Sequence, residues 1–100
     1  MKAYVIVDIT IENSEDFMEY VGQIPALIAK HGGRYLVRGA EPETVLAQSE
    51  SPQYLAVLEF PSRESANAFL EERNSVGLAD LFARTTKSRI LLADGVEDDD

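Results

Sequence analysis

The sequence predicts a single small α+β domain whose elements follow the order strand, helix, strand, strand, helix, strand. Residues 3–11, 54–60 and 88–94 are β-branched, leucine-rich or aromatic runs of strand length. Two other stretches carry apolar residues at steps of three and four behind good N-cap residues, Asn13 or Ser14 and Ser62, as amphipathic helices do. With 100 residues there is room for one hydrophobic core, since a half-length chain would bury too little apolar surface to fold alone.

In the first strand Ala3, Val5, Val7, Ile9 and Ile11 share one parity, and Tyr4, Ile6, Asp8 and Thr10 the other. Both faces are largely apolar. That pattern asks for cover on both sides, which helices on one face alone do not supply. The first helix starts where Glu15 and Asp16 put negative charge against the positive end of its dipole. Its stripe is Phe17, Tyr20, Val21, Ile24, Leu27, Ile28 and His31, kept in phase across Pro25, with Gly32 as the left-handed terminator.

Residues 34–38 alternate, so a regular second strand ending at Gly39 puts Arg34, Leu36 and Arg38 on one face and Tyr35 and Val37 on the other. The polar connection from Ala40 to Gln53 holds Pro42 and Pro52, and Thr44 to Ala47 within it suggests a short additional strand. Tyr54 to Phe60 is a central third strand. Ala66, Phe69 and Leu70 mark a second helix that Asn74, Ser75 and Gly77 interrupt, and Leu78, Leu81 and Phe82 continue it to Arg84. The last strand, Ser88 to Asp94, centres on Ile90, Leu91 and Leu92 and stops at Gly95.

Eighteen acidic against nine basic residues give a net charge of -9, which disfavours nucleic acid and anionic membranes as partners. Four of those charges are Glu97 to Asp100, so the domain is expected over residues 1–96 with a disordered acidic tail at 97–100. No apolar run approaches the roughly 20 residues that cross a bilayer. The N-terminal apolar stretch is broken by Asp8 and lacks a small-residue cleavage site, so it reads as a strand and not a signal peptide, and a cytoplasmic address is expected. The absence of cysteine removes disulfides, thiolate ligands and thiol nucleophiles.

Residues 32–39, Gly-Gly-Arg-Tyr-Leu-Val-Arg-Gly, and residues 58–66, Leu-Glu-Phe-Pro-Ser-Arg-Glu-Ser-Ala, in this order and spacing, resemble the domain of unknown function 1330 family of the dimeric α+β barrel superfamily. Tyr20 matches an aromatic of the first helix, and Ser88-Arg89 with Asp94-Gly95 matches the C-terminal end, so the likeness spans nearly the whole chain. The stretch Glu72 to Thr86 departs from the family pattern. The resemblance implies a ferredoxin-like βαββαβ sandwich with an antiparallel four-stranded sheet, and a homodimer in which two sheets lie together. That would supply the second cover demanded by the first strand. The superfamily includes cofactor-free monooxygenases, isomerases, haem-degrading enzymes and plain binding proteins, so the fold leaves the chemistry open.

The candidates for a ligand pocket are Tyr20, His31, Arg34, Arg38 and Glu59. His31 reads either as a base or ligand contact between helix and sheet, or as a helix-terminal histidine satisfying the last carbonyls. Arg34 and Arg38, about 13 Å apart on a regular strand, read as clamps for an anionic substrate or as ion-pair partners of Asp8 and Glu59. Glu59 is a base if it lies in a dry pocket that raises its pKa, and otherwise half of an ion pair. Tyr4, Tyr20, Tyr35 and Tyr54 line a pocket or fill the core. No metal-ligand spacing, phosphate-cradling loop or nucleophile elbow is present, so no metal or cofactor is expected. Three functions remain: a homodimeric binding protein with a small apolar or carboxylic ligand, a cofactor-independent enzyme using His31 or Glu59 as base, and a structural oligomer subunit.

Overall fold

Strand β1 (Ala3–Ile11) alternates buried and half-buried residues for most of its length and forms the centre of the sheet. The chain is seen here in a computed structural model that describes residues 1–96; the expected acidic tail lies outside the described residues. Helix α1 (Ser14–Lys30) leads to β2 (Arg34–Ala40) and β3 (Tyr54–Phe60), followed by α2 (Arg63–Ser75), α3 (Leu78–Thr85) and β4 (Thr86–Asp94). β1 pairs antiparallel with β3 on one side and β4 on the other, β2 extends the sheet beyond β3, and the strand order is β2-β3-β1-β4. This is a ferredoxin-like α+β arrangement with its second helix in two pieces.

The odd-numbered residues of β1 pack under the helices. Val5, Leu58, Phe60, Ile28, Phe69 and Phe82 are among the buried members of one continuous core. Each such side chain contributes roughly 1.5–3 kcal/mol on burial. The first helix begins at Asn13, whose Oδ1 accepts from the Asp16 backbone N–H at 3.1 Å. It ends with Gly32 at a φ of 77°, the left-handed stop expected of it. Gly33 follows because nothing larger fits: a Cβ there would lie 2.5 Å from Phe60 Cε1 and 2.9 Å from Ile28 Cγ2. Ser62 caps α2 by accepting from the Ser65 N–H.

The structure corrects three details of the sequence reading. Residues 44–47 form no strand; Val45 and Leu46 are 91% and 83% exposed in an irregular loop, with no neighbouring strand to satisfy their backbone. β4 begins at Thr86, earlier than Ser88, and the Thr86 hydroxyl donates back to the Phe82 carbonyl, so helix and strand meet without a linker. Most consequential is β2, which is not regular. Tyr35 faces Leu58, but Val37 faces Val57 and Ala40 faces Leu55, so an extra residue enters β2 at each of two bulges. Gly39, at a φ of 63°, supplies the left-handed conformation at the second.

The bulges decide what the outer face of the sheet looks like. Val37, Val57, Ile6 and Leu91 stand opposite one another in a single apolar row across all four strands. On one side lies the row Arg34, Glu59, Tyr4 and Ala93, and on the other Asp8 with Leu55 and Arg89. No helix of the described residues covers this face, and Leu91 remains 49% exposed.

Candidate functional site

Between the sheet and the three helices the core is not filled. A cavity of about 300 Å³ remains, walled by apolar β1 residues, by Ala56 and Leu58 of β3, by Ile24 and Ile28 of α1 and by Phe69 and Leu70 of α2. Its volume lies at the lower end of the range for small-molecule sites.

Part of its lining is aromatic and charged. Phe17 and Tyr20, one turn apart on α1, stack at 5.8 Å, and Phe82 of α3 packs on Tyr20 at 4.8 Å. Arg73 enters this cluster from the last turn of α2. Its Cζ sits 4.8 Å from the Phe82 ring centre and 5.4 Å from that of Tyr20, and its Nε donates to the Tyr20 hydroxyl at 2.8 Å. Arg73 is only 6% exposed, and its Nη2 is buried without a hydrogen-bond partner among the described residues. Burial pushes the Tyr20 hydroxyl pKa up, and the neighbouring Arg73 only partly offsets this, so the phenol keeps its proton.

Arg38, Gly39, Tyr35 and Tyr54 also border the cavity. Arg38 is exposed, and its guanidinium stacks 4.7 Å from the Tyr35 ring centre. The bulge put it there. A regular strand would have kept Arg38 on the face of Arg34; one extra residue turns it to the helix side.

Of the residues singled out in the sequence, Tyr20 and Arg38 border the cavity and His31, Arg34 and Glu59 do not. His31 ends α1 and turns to α2, where its Nε2 lies 2.8 Å from Glu72 Oε1 while Lys30 Nζ reaches Oε2 at 2.7 Å. The Lys30 and His31 hydrogen bonds hold the Glu72 carboxyl below its usual range. Glu59 lies on the outer sheet face. It accepts from Arg34 Nε at 2.9 Å and from the Tyr4 hydroxyl at 3.3 Å, with Lys2 Nζ 3.8 Å away. The Arg34 hydrogen bond above all lowers its pKa, opposite to what a general base in a dry pocket requires. Asp8 pairs with Arg89.

Arg73 is not among the residues that the sequence singles out. The signal was present: Arg73 falls in phase with Ala66, Phe69 and Leu70, a cation on the apolar stripe of its helix. The stretch from Glu72 to Thr86, whose pattern departs from the family resemblance, nevertheless contributes both Arg73 and Phe82 to the cavity. Among the described residues no cluster of histidine and carboxylate side chains is suited to a metal ion, and no helix is long and apolar enough to cross a membrane.

The family profile described as Domain of unknown function (DUF1330) matches residues 2–96. The chain belongs to this family. No curated protein matches it. RPA0582, a protein of unknown function from Rhodopseudomonas palustris, shares the fold with a TM-score of 0.74 at 12% identity, over 97% of this chain and 84% of that one. SnoaB, a cofactor-independent oxygenase from Streptomyces nogalater, superposes with a TM-score of 0.63 at 11% identity, over 97% of this chain and 95% of its own. The de novo designed protein Foldit4 gives a TM-score of 0.59 at 9% identity, over 96% of this chain and all of that one. At such identities the likeness of this chain to these structures is one of fold, and a designed protein among them underlines that the architecture carries no function of its own.

Proposed function

We propose that this chain is a cytoplasmic homodimer that binds one small apolar or carboxylic molecule per subunit in the cavity between helices and sheet. The observation that carries this reading is the cavity itself, an apolar chamber with a buried arginine in its lining. An open apolar cavity forfeits packing contacts, which a purely structural subunit has no reason to give up. Pairing is supported by the apolar row on the outer face, which a second sheet laid against it would cover.

The enzymatic reading, a cofactor-independent oxygenase or isomerase, draws support from the shared fold of SnoaB. The cavity favours binding over it. No carboxylate or imidazole lines the chamber among the described residues, and Tyr20, its pKa raised, is a poor base. Binding is tested by thermal melts against a panel of small aromatic and aliphatic carboxylic acids and their uncharged analogues. A ligand at a hundred times its Kd should raise Tm by on the order of 10–20 °C for a domain of this size. A panel without a single shift, together with no small molecule co-purifying in native mass spectrometry, refutes the proposal.

A further inference from the structure

We propose that the aromatic part of the cavity is an anion site, with Arg73 Nη2 and the Tyr20 hydroxyl as its paired donors, and that its occupant is a carboxylate on a compact aromatic or apolar body. The inference rests on the ligand-binding reading and adds the charge, the orientation and the recognition pair.

Four observations carry it. Arg73 is 6% exposed and its Nη2 has no partner among the described residues, whereas buried guanidinium groups are normally satisfied by carboxylates or carbonyls. The neighbouring acid does not supply the missing partner, because Glu72 is held by Lys30 and His31. Next, the Tyr20 oxygen already accepts from Arg73 Nε, and its own O–H donates to no group among the described residues. Nη2 shares a guanidinium edge with Nε, so an oxygen bound to Nη2 lies beside the Tyr20 hydroxyl and takes its proton as a second hydrogen bond. Third, the two charged residues that line the cavity, Arg73 and Arg38, are both cationic, and no acid lines it among the described residues. Fourth, the surrounding wall is apolar and aromatic, which suits the body of the ligand but not its charged end. The carboxylate therefore sits at Arg73, and the body packs against the apolar wall of the cavity.

The test is isothermal titration calorimetry with 2-naphthoate and its uncharged amide, and with octanoate and octanamide, on wild type, Tyr20→Phe and Arg73→Met. Wild type should bind one of the acids at least about 10-fold more tightly than its amide, the worth of a charged hydrogen bond. Tyr20→Phe should weaken that acid roughly 5- to 10-fold and leave the amide nearly unchanged. Arg73→Met should abolish the preference; if that variant fails to fold by circular dichroism, Tyr20→Phe alone decides. Equal affinity of wild type for acid and amide overturns the anion site and leaves the binding cavity standing. A preference that survives in both variants also overturns it. Failure of all four probes to bind wild type overturns the anion site and the cavity reading together.

Discussion

Replacing Ile6 by aspartate puts a carboxylate at the middle of the apolar row, directly between Val57 of β3 and Leu91 of β4. If two sheets lie face to face, this position is buried in the dimer and occurs twice about its two-fold axis. Full burial of an isoleucine is worth about 1.5–3 kcal/mol. Ile6 is already half-buried in the single chain, so the dimer gains about half of that per copy, or roughly 1.5–3 kcal/mol for the pair. The aspartates add a desolvation penalty of several kcal/mol each, and they face one another as like charges. A sum of about 6 kcal/mol or more raises the dimer Kd by at least about four orders of magnitude. Sedimentation velocity from nanomolar to tens of micromolar should show wild type at twice the 11.1 kDa chain mass and Ile6→Asp at the chain mass, with unchanged circular dichroism. Thr10→Asp is the control, because Thr10 points to the same side but is exposed beyond the polar row. A wild-type chain that stays monomeric, or an Ile6→Asp variant that stays dimeric, refutes sheet-to-sheet pairing.

Gly33→Ala should destabilise the fold by about 1–3 kcal/mol, since its Cβ would press on Ile28 and on the Phe60 ring, which is fully buried away from the cavity and has no space to retreat into. Urea titration measures this as a lower midpoint at constant slope; an unchanged midpoint contradicts the close approach. Stability should also fall in acid. Glu59 and Glu72 both have carboxyls lowered from the ordinary value of 4.5, so they bind protons less readily folded than unfolded. Their contribution is complete above pH 4.5 and is lost as the pH drops through their folded values. Urea midpoints between pH 6 and pH 2.5 should decline below that point in wild type and more shallowly in Glu59→Gln; identical slopes would remove the Arg34 ion pair as the cause.

Much of this chain was legible because its signals are local. Asn13 and Ser62 cap the helices as their side-chain chemistry demands, Gly32 stops α1, and the stripe from Phe17 to Ile28 faces the core. The break between α2 and α3 follows from Asn74, Ser75 and Gly77. The candidate site is less legible. His31 continues the periodicity of α1, but periodicity ends with the helix, and the cap residue turns toward Glu72 on a neighbouring element 41 positions away. Arg34 and Arg38 share a face only in an unbroken pleat, and the bulges separate them. Arg73 was in phase with its stripe, yet its importance lies in what it meets, Tyr20 on α1 and Phe82 on α3.

By itself the sequence determined the element order, the α+β class, the helix limits and the two apolar faces of β1, because each follows from side-chain size, polarity and backbone preference within a few residues. Only the tertiary structure decided the register of β2, the apolar row that runs across all four strands, and the unfilled chamber where Nη2 of the buried Arg73 has no partner among the described residues. Register, voids and hydrogen-bond satisfaction are properties of segments brought together from far apart, and no local pattern records which atoms will be left without a neighbour.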